Sequence, residues 1–288
     1  MLNCTRTWLV VSFVFRVVLR AVWLGSTLLF GLRLQTLGNG REGNLKLRVQ
    51  KIGLHGKSLD LHLGGDPATQ NAKIMVLYGS GDGGWFGPAV HMFKDIVRLG
   101  YPAAGFSTRA YLKAVSNSGA PVSLDEVADD YESIVQAAHQ ALDLPQEMPT
   151  VLTGWSRGAA FAVLVAAQKR PDLRLAGVVA IGLPDKEELK LRIHHRKILV
   201  ANFPSGRQHI VFDTYDRISA VAPLPLSLIQ ATHDDYLPAQ AARVLFGPDS
   251  VSDRFFPVEA NDHKFGGGHP AFVASLRESL AWICKQIP

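Results

Sequence analysis

The sequence predicts an α/β fold, a mostly parallel sheet with helices on both faces and a small insertion. Three observations carry this reading. Apolar runs of strand length alternate with helix-length periodic segments along residues 45–287. Two of those runs, 73–78 and 150–153, end in glycine-rich turns that lead into a helix, as buried parallel strands do. The length of 288 residues, with 47% hydrophobic and 19% charged, suits one large domain and excludes a disulfide-stapled mini-domain or a disordered chain.

Taken in order, 45–52 and 58–63 alternate with the two-residue period of half-buried strands around a turn at 53–56. The continuous run 73–78 predicts a buried strand, 85–99 a helix and 103–106 a short strand. Val127, Tyr131, Ile134 and Ala138 give 124–142 helical spacing. Strand 150–153 leads through Gly154-Trp155-Ser156-Arg157-Gly158 into an alanine-rich helix that runs to 169. Strands follow at 175–181, 225–230 and 254–258, with helices at 238–246 and 270–287, the last opened by proline. Between 184 and 223 the alternation breaks, which predicts an insertion over one edge of a single domain spanning 42–288.

The formal charge of +5 and pI of about 9.2 invite a nucleic-acid reading. Its distribution argues against one. Residues 1–41 hold Arg6, Arg16, Arg20, Arg33 and Arg41 and no acidic residue, and removing those five leaves 25 basic against 25 acidic residues. The body is neutral. Within the tail, 8–32 is apolar apart from Arg16 and Arg20, and the stretch after Arg20 is only 12 residues long. That is shorter than the roughly 20 residues a spanning helix needs but fits a secretory h-region. A signal peptide, or an uncleaved anchor over 17–37, would hold the chain at the membrane through this segment and export the body to the periplasm or the outer face of the inner membrane. An organellar transit peptide, or a wrongly assigned start codon ahead of a cytoplasmic esterase, is the alternative. The two cysteines, Cys4 and Cys284, form no metal-ligand pattern, and His194 and His195 lack carboxylates at ligand spacing, so neither metal nor cofactor is expected.

The chemistry concentrates at three loop ends. Gly-x-Ser-x-Gly between a strand and a helix is the setting in which a strained turn lifts a serine hydroxyl to the helix N-terminus, making Ser156 a candidate nucleophile. Such a serine needs a base and an acid downstream. Asp234 follows one strand and His263 the next, with Asp235 and His269 as their rivals. The N–H of Arg157 and that of Ser80 or Gly81, in the loop 79–84, would complete an oxyanion site. That loop lacks the Gly-Lys-Ser/Thr ending of a phosphate cradle.

This order of strands with Ser156, Asp234 and His263 resembles an α/β-hydrolase across 45–287. Within that superfamily, Tyr-Gly-Ser-Gly-Asp-Gly-Gly-Trp at 78–85 resembles a signature of the bacterial VirJ/AcvB-type virulence proteins. Arg109-Ala110-Tyr111-Leu112 and the segment around Asp129 are also similar to that family. At 154–159 and 262–267 the match is partial: Arg157 replaces an apolar residue, and Lys264 stands where a second histidine would, so only His263 carries over. The resemblance implies an envelope esterase that cleaves aminoacyl esters of phosphatidylglycerol. Asp82 would then meet the substrate's ammonium, Arg157 or Arg109 the phosphate of a phospholipid head group, and Trp85 the pocket rim. The alternative is a non-catalytic module of the same fold that docks on an envelope or secretion assembly through Trp85, Phe86, Arg109 and Tyr111.

Overall fold

The computed structural model describes residues 45–65, 73–117, 123–191 and 208–287; the basic tail, His194 and His195 lie outside them. The chain runs β1 (Leu47–Leu54), β2 (Lys57–Gly64), β3 (Met75–Gly79), α1 (Pro88–Arg98), β4 (Ala103–Phe106), α2 (Thr108–Asn117), α3 (Leu124–Leu142), β5 (Thr150–Trp155) and α4 (Arg157–Ala166). It continues through β6 (Leu175–Ile181), β7 (Lys186–Leu191), β8 (Gln208–Asp213), α5 (Ile218–Val221), β9 (Leu226–Ala231), α6 (Ala239–Phe246), β10 (Asp253–Val258) and α7 (His269–Gln286).

Eight strands form one sheet in the order β1-β2-β4-β3-β5-β6-β9-β10. β1 pairs antiparallel with β2, and β2 with β4; every later neighbour is parallel. The β1–β2 connection is the two-residue turn His55-Gly56, with φ of 49° and 69°. Two successive positive φ values let a hairpin keep the twist of its strands.

The central strands read as unbroken apolar runs because both faces are covered. Along β3, Met75 and Leu77 enter one core while Val76 and Tyr78 enter the other; β6 divides Val178 and Ala180 from Val179 and Ile181 in the same way. α1 and α7 cover one face, and α3, α4 and α6 the other. α3 occupies the 124–142 span expected of it. A reciprocal cap starts it: Ser123 Oγ accepts from Glu126 N (3.2 Å), and Glu126 Oε2 accepts from Ser123 N (2.7 Å).

Two segments depart from the sequence expectation. The first helix begins at Pro88 rather than at 85, because Gly87 at φ 50° cannot continue a helix backwards while Pro88 suits its first turn. α2, which the sequence did not suggest, follows β4 at the same end of the sheet as the serine turn. Within 184–223, β7 and β8 form an antiparallel ribbon separate from the main sheet. No helix among the described residues is long and apolar enough to cross a membrane.

Candidate active site

The turn after β5 is held by close backbone packing. A Cβ on Gly154 would collide with the Gly158 carbonyl, and one on Gly158 with the carbonyl of Gly79 at the end of β3. Only glycine allows that approach, and it lets β5 turn into α4 within one residue. That residue, Ser156, sits at φ 56° and ψ −120°, a conformation that L side chains rarely adopt. Its N–H is anchored to Ile181 O (2.8 Å) and its carbonyl accepts from Ala159 and Ala160 (2.9 and 3.1 Å), so the strain is fixed from both sides. Its side chain caps nothing and stays half-exposed at the head of α4.

Asp234 follows β9 with its side chain wholly buried. Its Oδ1 accepts from the N–H groups of Tyr236 (2.8 Å) and Leu237 (3.2 Å), and its Oδ2 from Gln230 Nε2 (3.1 Å) and His263 Nδ1 (2.6 Å). Four donors make ionisation tolerable in the interior. The carboxylate in turn fixes the proton of His263 on Nδ1 and leaves the lone pair on Nε2. That Nε2 is buried and has no hydrogen-bond partner. The ring is wedged between Trp155 (centroids 5.3 Å) and the edge of Tyr236 (4.8 Å), and the Trp155 indole donates to the His263 carbonyl (3.0 Å). Gly182 completes the wedge: a Cβ there would stand 2.8 Å from His263 Cε1. Burial foremost, and then the charge of Asp234, push the Tyr215 phenol far above its ordinary range and keep it neutral beside the site.

The rivals go elsewhere. His269 pairs with Asp95 on α1 (2.8 Å), and Asp235 is exposed. Asp262 binds the N–H groups of Lys264 and Gly266 (both 2.9 Å) and so shapes its own loop.

Among solved structures, the esterase domain of a Rhodothermus marinus protein superposes with a TM-score of 0.55 at 15% identity, over 83% of this chain and 98% of the other. Dienelactone hydrolase from Anabaena variabilis gives 0.55 at 14% over 82% and 95%, and Est1E from Butyrivibrio proteoclasticus 0.54 at 12% over 83% and 98%. The chain has the α/β-hydrolase fold. No family model and no curated relative matches this sequence.

In the α/β-hydrolase fold the oxyanion donors are the N–H after the nucleophile and one from the loop after the third strand. Arg157 heads α4, where its N–H is free of the helical ladder. Ser80 cannot supply the second donor expected of it, because its N–H is donated to Phe106 O (3.1 Å) in continuation of the β3–β4 ladder. Its hydroxyl instead accepts from Thr108 N (3.2 Å) at the start of α2. Gly81 remains, and a Cβ built on it would lie 3.3 Å from Ser156 Cβ.

The expected substrate contacts fare differently. Trp85, half-buried, lies flat on His62 (4.0 Å, 6°), edge-on to Phe93 (5.1 Å), and fills the space above Gly105. Asp82 is paired with Arg157 Nη1, and Arg157 Nε with the buried Glu187 of β7 (2.6 Å). Arg109 is exposed on the first turn of α2, close to Gly84. Tyr111 is fully buried, where it donates to Asp130 (2.9 Å), so of the four residues of the expected docking patch it is not on the surface, while Phe86 and Arg109 are exposed. Sequence reasoning missed Gln230, Gly182 and Glu187. A glutamine in a buried, mostly apolar strand was the one available signal, and it pointed to Gln230.

Proposed function

We propose that this protein is a serine esterase in which Ser156 is the nucleophile, His263 the base and Asp234 the acid. The observation that carries the reading is a buried, carboxylate-held histidine whose Nε2 lone pair has no partner, together with a strained serine at a helix N-terminus. In the acylation step His263 Nε2 takes the Ser156 proton as Oγ bonds to the ester carbonyl carbon. The carbonyl electrons move onto oxygen, where the N–H groups of Arg157 and Gly81 receive them. Collapse of the tetrahedral intermediate expels the alcohol, which takes its proton from His263. Water then repeats the sequence on the acyl-enzyme, and Asp234 stabilises the imidazolium each time.

A fluorophosphonate probe tests this directly: wild type should label at Ser156 and S156A should not. Folded wild type that stays unlabelled would overturn the reading.

For the substrate we favour aminoacyl esters of phosphatidylglycerol, on the strength of the 78–85 signature, and for location the periplasm or outer face of the inner membrane, on the strength of the basic, apolar tail. Vesicles carrying lysyl-phosphatidylglycerol should release free lysine. Cleavage of p-nitrophenyl esters without that release would keep the esterase and remove the lipid. Fused ahead of a reporter active only outside the cytoplasm, residues 1–44 should switch it on.

A further inference from the structure

The Arg157 side chain joins three segments that are distant in sequence. Its guanidinium binds Asp82 in the loop after β3 through Nη1 and Glu187 on β7 through Nε, while its own backbone opens α4 next to Ser156. Asp82 immediately follows Gly81. One residue therefore carries one oxyanion N–H on its backbone and grips, with its side chain, the neighbour of the other.

We propose that the Asp82–Arg157–Glu187 bridge is a positioning device that sets the Gly81 N–H opposite Ser156 and holds the β7–β8 ribbon against the same loop. The proposal rests on the esterase reading. Its physical basis is the asymmetry of the two ion pairs. Glu187 is 4% exposed at its side chain, so its charge is tolerable only with a close, directed partner, which fixes the guanidinium plane. Asp82 is 64% exposed. A pair that open contributes little to folding, so its effect is on where the loop sits rather than on whether the chain folds. Lysine cannot replace this arginine, because a single ammonium does not offer two carboxylates a fixed planar fork. Loss of an oxyanion donor typically costs about 10²–10³ in turnover, and a donor left in place but loosened should cost about tenfold.

The test uses full-length D82A, R157K and the D82A/R157K double variant, assayed with p-nitrophenyl acetate, a neutral ester with no charge for either side chain to bind. D82A should lose about tenfold in kcat with KM within about twofold and Tm unchanged; R157K should lose at least as much in kcat and also lower Tm, because the buried Glu187 loses its directed partner, and the double variant should lose no more kcat than the worse single one. Fluorophosphonate labelling of Ser156 should slow in parallel. A D82A enzyme with wild-type kcat and labelling rate overturns the bridge and leaves the esterase standing. So does a loss that appears only in KM, or losses that multiply in the double variant. A wild type that does not label at all overturns the esterase reading, and the role of the bridge with it.

Discussion

At the scale of single residues, the site depends on side chains that are missing as much as on those present. Ser156 keeps its left-handed backbone because Gly154 and Gly158 let β3, β5 and α4 touch. Alanine at either should force the turn open and cost about 2–4 kcal/mol, measurable by urea denaturation. Gly182 has φ 57° and lies against the His263 ring. G182A should cost about 1–2 kcal/mol through its backbone alone and lower kcat at least about tenfold by displacing the imidazole. D234N should keep the fold and drop kcat about 10⁴-fold, since an amide at Oδ2 favours the wrong tautomer. The serine turn, Asp234 and His263 were legible because each residue type follows a readable strand in the order the chemistry needs. Gly182, Gln230 and Glu187 were not, since their meaning lies in contacts between loops that no spacing reveals.

Among the elements, legibility tracked burial. β3, β6 and β9 are wrapped on both faces and so appear as plain apolar runs, and α3 carries both its periodic stripe and its cap. S123A, which removes that cap, should lower stability by about 1 kcal/mol and Tm by about 2–4 °C, with esterase turnover unchanged. α2 and β7 were not readable. α2 is amphipathic but follows directly on the short strand β4; β7, Lys-Glu-Glu-Leu-Lys-Leu, is made of helix formers and takes extended form because it pairs with β8. In β7 tertiary pairing overrides local preference.

For the molecule as a whole, pH is the clearest lever. Burial pushes the imidazole of His139 below its ordinary value, against an opposing pull from Glu147, and burial does the same to His62 against Asp60. A histidine whose folded pKa is depressed adds stability at pH above its unfolded value of 6.5 and loses it as pH falls through the folded value. Urea midpoints should therefore fall as pH drops below about 6.5, and the fall should be shallower in H139Q, a variant with no proton to take up at that position. A slope equal to wild type would remove His139 from that account. The neutral balance of residues 42–288 places the excess charge of the chain in the tail.

Trp155 has one more consequence. Its indole lies beside the His263 ring and is tethered to the carbonyl of the same residue. A protonated imidazole accepts an electron from an excited indole and quenches its emission, whereas a neutral imidazole quenches far less. On the esterase reading, the base would work next to a built-in fluorophore. The emission that wild type has and W155F lacks should dim and recover as His263 gains and loses its proton, so light from the protein itself can report the protonation of the proposed base.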